Sequence, residues 1–235
     1  MMRLKGFTLA EVLITLGVIG VVAAMTMPAL VQKSKEKETV TKLKKAYSVL
    51  SNAYMLAKAE NGSGIDTWVE GKTGNEATQT LFENMKPYLN ISKDCGFNGG
   101  CFKDVSITRL DGTPDTPEFN YGKPRGIFST FILTDGTPVL LQGVPDTNTG
   151  IAVVDTGSMH GTSAYGKNIF FFRFYPDKVV PSGLPTESSH ELKDLECTGN
   201  EQQDGKGCTA WVLLNENMEY LHCNDLSWNN KTQCK

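Results

Sequence analysis

The chain has 235 residues, 40% hydrophobic and 21% charged, with a net charge of −3 and a pI near 5.7. Such a composition is too apolar for a disordered chain, and its charge balance points to no nucleic-acid partner. Any membrane association must therefore come from one segment and not from overall charge.

The first element is "GFTLAEVLITLGVIGVVAAMTMPAL", Gly6 to Leu30. From Val12 to Gln32 there are 21 residues without a charge. At helical rise that run covers about 30 Å, the hydrocarbon thickness of a bilayer. Gly17 and Gly20 weaken the helix, and Pro28 removes a backbone donor and is expected to kink it. Glu11 sits at the start of the run, and an ionisable group in a span is a functional hypothesis by default. Three plainer readings compete. Glu11 snorkels to water; or Arg3 and Lys5 open a signal peptide cut near Val22-Ala23-Ala24; or the run is a simple anchor. Lys33, Lys35 and Lys37 follow the span, so a count of Lys and Arg alone would leave the rest of the chain in the cytoplasm. The cysteines argue the opposite, and long domains translocate largely regardless of charge.

The next stretch, "KSKEKETVTKLKKAYSVLSNAYMLAKAENG", places Val40, Leu43, Tyr47, Leu50, Tyr54 and Ala57 three and four residues apart. That spacing predicts one apolar stripe on a helix, expected to pack on the chain's own sheet, with Asn61-Gly62 as its stop. Joined to the apolar run, it makes one helix of about 53 residues, roughly 80 Å long. "NEATQTLFENMKPYL" predicts a second, short helix with Ala77, Leu81 and Met85 on one face. "GIFSTFILTDGTPVLLQGV" predicts a hairpin, with Ile127, Phe131 and Leu133 in one strand, a turn at Asp135-Gly136, and Val139 to Leu141 returning. "GIAVVD" and "NIFFFRFYPDKVVPSG" add strands, the second turning at Pro176-Asp177, while "GCTAWVLLNENMEYL" is a short helix or a strand, with helix preferred. A helix followed by antiparallel strands implies an α+β fold. The expected organisation is residues 1–6 as leader, 7–32 as transmembrane helix, 33–61 as its amphipathic half and 62–235 as a globular head.

Six cysteines, Cys95, Cys101, Cys197, Cys208, Cys223 and Cys234, lie far from the apolar run. An even count in Gly- and Asn-rich stretches suits disulfides in an oxidising compartment. Neighbour pairing is the simplest of the 15 possible pairings. With no C-x-x-C pair and three scattered histidines, His160, His190 and His222, a zinc site is not expected. Nor is there an H-E-x-x-H, a G-x-S-x-G or a phosphate-binding loop, so no catalytic residue, metal or cofactor is predicted.

Lys5-Gly6-Phe7-Thr8-Leu9-Ala10-Glu11, the uncharged run and Pro28 resemble the N-terminus of type IV pilins and type II secretion pseudopilins. The features shared are a short basic leader, Gly, Phe, and a glutamate four residues after the Phe. The resemblance covers roughly the first 60 residues. It implies a pilin-like layout and cleavage between Gly6 and Phe7 by a prepilin peptidase, which methylates the new amine. It further implies assembly through Phe7 and Glu11, the carboxylate meeting the amine of a neighbouring subunit. The implied partners are the peptidase, other pilin or pseudopilin subunits, an inner-membrane assembly platform and membrane lipid. The implied location is the bacterial inner membrane, with the head extracytoplasmic.

In the head, "FSTFILTDGT" and "VVDTGSMHGTSAYGKNIFFFRFYPDKVVPSG" resemble a bacterial subgroup of prepilin-type proteins. Asp155, Gly161, Gly166, Lys167 and Phe170 match its pattern. Gly157-Ser158, Thr162-Ser163 and Asn168 replace its Asn-Gly, Pro-Asn and Asp, which removes oxygen ligands and argues against calcium. "VVDTGS", Val153 to Ser158, also resembles the signature of aspartic proteases. That chemistry needs two carboxylates sharing a proton. One Asp155-Thr156-Gly157 without a second copy is expected to be a strand-end turn, with Gly157 at an unusual φ. The reading is thus a structural subunit of a pilus or pseudopilus. The alternatives are an anchored extracytoplasmic protein that never assembles and, remotely, an aspartic-protease-like enzyme.

Overall fold

A computed structural model describes residues 8–97, 106–115, 128–157, 162–184, 197–198 and 204–235. The expectations attached to Gly6, Phe7, Cys101, Ile127, Ser158, His160, Gly161 and His190 concern residues outside that set. The chain falls into two compact units, Met1–Glu38 and Thr39–Lys235.

Helix α1 spans Leu9–Asn61, 53 residues, uninterrupted at Pro28. Its part in the first unit exposes its apolar side chains: Leu9, Leu13, Ile14, Leu16, Ile19 and Met25 are each more than half exposed. In the second unit the same helix is amphipathic, with Val40, Leu43, Ala46, Leu50, Ala53, Tyr54 and Ala57 buried. Tyr47, expected in that stripe, is only partly buried and stacks on Phe172 with ring centroids 5.6 Å apart. Tyr54 is fully buried; its hydroxyl donates to the Tyr175 carbonyl at 2.8 Å and accepts from the Ile65 amide at 3.0 Å. Burial pushes its phenol up to about 12.

Two short helices follow, α2 (Ile65–Val69) and α3 (Gly74–Met85). A capping box starts α3: the Thr73 hydroxyl accepts from the Glu76 amide, and Glu76 accepts from the Thr73 amide. The strands are β1 (Ile91–Gly96), β2 (Ser106–Thr108), β3 (Ser129–Leu133), β4 (Pro138–Val144), β5 (Thr149–Asp155), β6 (Thr162–Ala164), β7 (Ile169–Phe174) and β8 (Val179–Pro181). The last helix is α4 (Cys208–Asn215). Six strands form one antiparallel sheet in the order β1-β3-β4-β5-β7-β8, and β2 and β6 form a parallel pair. The fold is α+β, with the second half of α1 packed against an antiparallel sheet.

The apolar runs at Val139–Leu141, Ala152–Val154 and Phe170–Phe172 arise because the sheet is covered on both faces. Val139, Leu141, Ala152, Val154, Phe170, Phe172 and Phe174 face α1 and α3 in the large core. Leu140, Val153, Phe171 and Ile169 face the other way, into a smaller core with Ile107, Phe128 and Tyr165. A strand buried on both sides reads as a continuous apolar run and not as alternation. Helix α3 lies very close to β4. A Cβ on Gly143 would meet the Ala77 carbonyl carbon at 2.6 Å, and the Gly143 amide donates to the Thr78 hydroxyl at 2.9 Å. Only glycine permits that approach.

The C-terminal segment wraps onto this core. Cys197 is disulfide-bonded to Cys208 and Cys223 to Cys234. Cys95 is also disulfide-bonded, and Cys101 lies outside the described residues. Trp211 on α4 is fully buried and packs edge-on against Trp228, with ring centroids 5.0 Å apart.

Candidate functional site

Two places hold the residues singled out by sequence: the first turn of α1 and the end of β5.

At the first turn, Thr8 precedes the helix. Glu11 Oε2 accepts from the Thr8 amide at 2.8 Å and from the Thr8 hydroxyl at 2.8 Å, and that hydroxyl accepts from the Glu11 amide at 3.2 Å. This is a capping box, the same Thr-x-x-Glu spacing that starts α3. It satisfies helix-start donors that would otherwise have no intrahelical partner. The Thr-x-x-Glu spacing that carries it is written in the sequence at Thr8 and Glu11. Further along, the Thr15 hydroxyl donates to the Glu11 and Val12 carbonyls, both at 2.9 Å, and the Thr26 hydroxyl to the Val22 carbonyl at 3.0 Å. Both threonines thus hide their polarity against their own helix. What remains outward is hydrocarbon, and α1 is long and apolar enough to cross a membrane. A continuous exposed apolar surface of this kind marks contact with lipid or with another protein. Gly6 and Phe7 lie outside the described residues, so Glu11 has its position here but its expected amine partner does not.

At the end of β5, Asp155 is only 3% exposed. Its Oδ1 accepts from the Gly157 amide at 2.8 Å and from Asn168 Nδ2 at 3.3 Å, and its Oδ2 accepts from the Ser163 hydroxyl at 3.0 Å. Asn168 Nδ2 also donates to the Ser163 hydroxyl at 3.0 Å, and its Oδ1 accepts from the Ala164 amide at 2.7 Å. The Thr156 hydroxyl donates to the Asn168 carbonyl at 3.2 Å, and the Lys42 ammonium donates to the Thr156 carbonyl at 3.3 Å. Burial raises the Asp155 carboxyl above its ordinary value, against the hydrogen bonds from Gly157, Ser163 and Asn168 and the charge of Lys42.

The Asp-Thr-Gly of the sequence is therefore the knot that ties β5 to the β6–β7 connection. The expectation of an unusual φ at Gly157 is corrected. Gly157 is not among the positive-φ glycines, and its reason is space, since a Cβ there would meet Asn168 Nδ2 at 2.6 Å. Of the other residues in that run, Gly166 has φ +70° and Phe170 is fully buried beneath the sheet. Among the described residues no group of three or more His, Cys, Asp or Glu could hold a metal ion.

A third cluster carried no sequence signal. The Tyr165 hydroxyl donates to Asp115, whose other oxygen lies 3.7 Å from the Arg109 guanidinium. Asp204 accepts from the Asp111 amide at 2.7 Å. Burial raises the carboxyl of Asp204, and the charge of Asp111 adds to the rise. These contacts tie the 106–115 segment to the disulfide-bonded C-terminal part.

Residues 1–27 match the prokaryotic N-terminal methylation motif. The chain carries a prepilin-type signal. This signal is that of type IV pilin-like and pseudopilin precursors, and it points to a structural protein. With the apolar helix behind it, the signal indicates a membrane-anchored protein. No curated protein and no solved structure matches the chain. The prepilin-type signal and the α+β head are thus the two anchors of any functional reading.

Proposed function

We propose that this chain is a subunit of a type IV pilus or of a type II secretion pseudopilus, made as a precursor and assembled through α1. One observation carries the reading: the methylation motif at residues 1–27 coincides with a helix whose apolar face is uncovered in the isolated chain. A prepilin peptidase cuts between Gly6 and Phe7 and methylates the new amine. The hydrogen bonds from Thr8 fall on one carboxylate oxygen of Glu11, Oε2. In a filament Oε1 then receives the amine at Phe7 of a neighbouring copy. A carboxylate in hydrocarbon is costly until a cation joins it, so pairing favours one register of subunits. Pro28 provides a point where the helix loosens as copies pack, because its ring removes the bond to the carbonyl four residues earlier.

In this reading the helix spans the bacterial inner membrane once and the head is extracytoplasmic. Support comes from the disulfides, which persist in oxidising compartments. The buried, locally bonded state of Asp155 gives the head a structural carboxylate, which favours a scaffold over an acid protease. The test is filament entry of Glu11→Val. The variant should still insert in the membrane but be largely missing from filaments sheared off cells; normal incorporation would refute the pairing role.

A further inference from the structure

The apolar surface of α1 ends abruptly. Gln32 ends the uninterrupted uncharged run, and Lys33, Lys35 and Lys37 follow within five positions, all exposed. We propose that this turn binds the phosphate groups of anionic phospholipids at the far face of the bilayer. The inference rests on the reading that α1 spans a membrane, and it adds a ligand to that reading.

Depth is the first argument. The uncharged run from Val12 to Gln32 is 21 residues, about 30 Å of helix, so Lys33 emerges at the level of the headgroups. Charge order is the second. Lys33 and Lys35 both precede the first carboxylate, Glu36, which lies about 4.5 Å farther out along the axis than Lys33. The layer next to the lipid is therefore positive, and the mixed layer of Glu36, Lys37 and Glu38 sits beyond it. Geometry is the third. Lys33 and Lys37 are four residues apart and share one side of the helix, while Lys35 points to the opposite side. Lipid can thus be engaged on two sides at once. Lysine suits the task, because its long flexible stem lies along apolar surface and places its ammonium at the interface. Three lysines against two glutamates leave a net charge of +1 between Lys33 and Glu38. The bound lipid holds the helix at a fixed depth, and this hold must be released when the subunit leaves the membrane for a filament.

The test reconstitutes the full chain in phosphatidylcholine vesicles containing trace spin-labelled phosphatidylcholine or phosphatidylglycerol, and measures how much of each label the protein immobilises. One net charge near the surface corresponds to about a fivefold preference for the anionic label. That preference should fall towards onefold in about 1 M salt, where screening reaches about 3 Å. It should also fall at least about fivefold from the wild type to the K33Q/K35Q/K37Q variant, in which Arg3 and Lys5 at the other face are unchanged. Equal immobilisation of the two labels by the wild type would overturn the proposal, as would a triple variant whose preference equals that of the wild type. A chain that inserts in neither kind of vesicle refutes the spanning reading itself, and this proposal falls with it.

Discussion

Replacing Asp155 separates a structural carboxylate from a catalytic one. In Asp155→Ala the Gly157 amide, the Ser163 hydroxyl and one Asn168 donor lose their acceptor, although Ser163 and Asn168 keep their mutual bond of 3.0 Å. A buried donor left without a partner costs about 1–3 kcal/mol, and part of that is offset because a desolvated charge is removed. The expected net loss is about 2–4 kcal/mol, a fall in Tm of roughly 5–15 °C for a unit of this size. Asp155→Asn should behave differently. Its Oδ1 keeps the Gly157 and Asn168 bonds and its Nδ2 donates to the Ser163 oxygen, so only the Ser163 proton loses its acceptor and the loss at neutral pH should be about 1–2 kcal/mol, smaller than in the Ala variant.

The pH profile gives the sign. Burial raises the folded-state carboxyl above its unfolded value, so the folded chain holds this proton more tightly. Its contribution to stability is fully present below the unfolded carboxylate pKa and is lost as pH rises through the raised folded value. Asp155→Asn should lack that slope. The assay is denaturant unfolding of the detergent-solubilised chain, followed by tryptophan fluorescence, between pH 3 and 8. An Asn variant as damaged as the Ala variant, or an Ala variant that costs nothing, would refute the network as described. An acid proteolytic activity abolished by Asp155→Asn would refute the structural role altogether.

Other consequences follow from single contacts. Gly143→Ala places a methyl 2.6 Å from the Ala77 carbonyl carbon, so α3 must move, and a loss of about 1–3 kcal/mol should appear in the same unfolding assay. Under native conditions a thiol reductant should open Cys223–Cys234 before Cys197–Cys208, because the cysteines of the second pair are fully buried and those of the first are half-buried, as timed alkylation and mass mapping would show. Removing the Cys197–Cys208 bond by a double serine substitution should cost about 3 kcal/mol through the loop it closes. Thr8→Ala should fray the first turn of α1, raising hydrogen exchange at residues 9–11 about fivefold in detergent micelles, the equivalent of about 1 kcal/mol of capping.

What could be read from the sequence were the elements with strong periodicity or turn chemistry. The Val40-to-Ala57 stripe, the Asp135-Gly136 hairpin and the Pro176-Asp177 turn are each written in local residues and appear as expected. Helix α4 came out on the preferred side of an ambiguous run, because Trp211 and Val212 are both buried at helical spacing from Cys208. Strand β1 was not legible, since "ISKDCG" is an edge strand of mostly exposed polar residues, and its pairing with β3 is interrupted by two register shifts. The three-residue strands β2 and β6 pair in parallel across 56 residues of sequence from Ser106 to Thr162, a contact no local pattern encodes. At the candidate sites, the identity of Glu11 and Asp155 was legible but their partners were not. Thr8 and Asn168 stand in the motifs, but an uncharged polar residue gives no sign of which carboxylate it will reach. At Gly157 the sequence suggests a backbone reason and the structure supplies a packing one.

Assembly through α1 requires that the precursor be trimmed to expose an amine at Phe7 for Glu11 to meet. Intact mass and N-terminal sequencing of the protein from its native membrane test this most directly. The expected product is a chain beginning at Phe7 with a methylated amine. A mature protein that still begins at Met1, or one that starts within the apolar run near Met25, would contradict it.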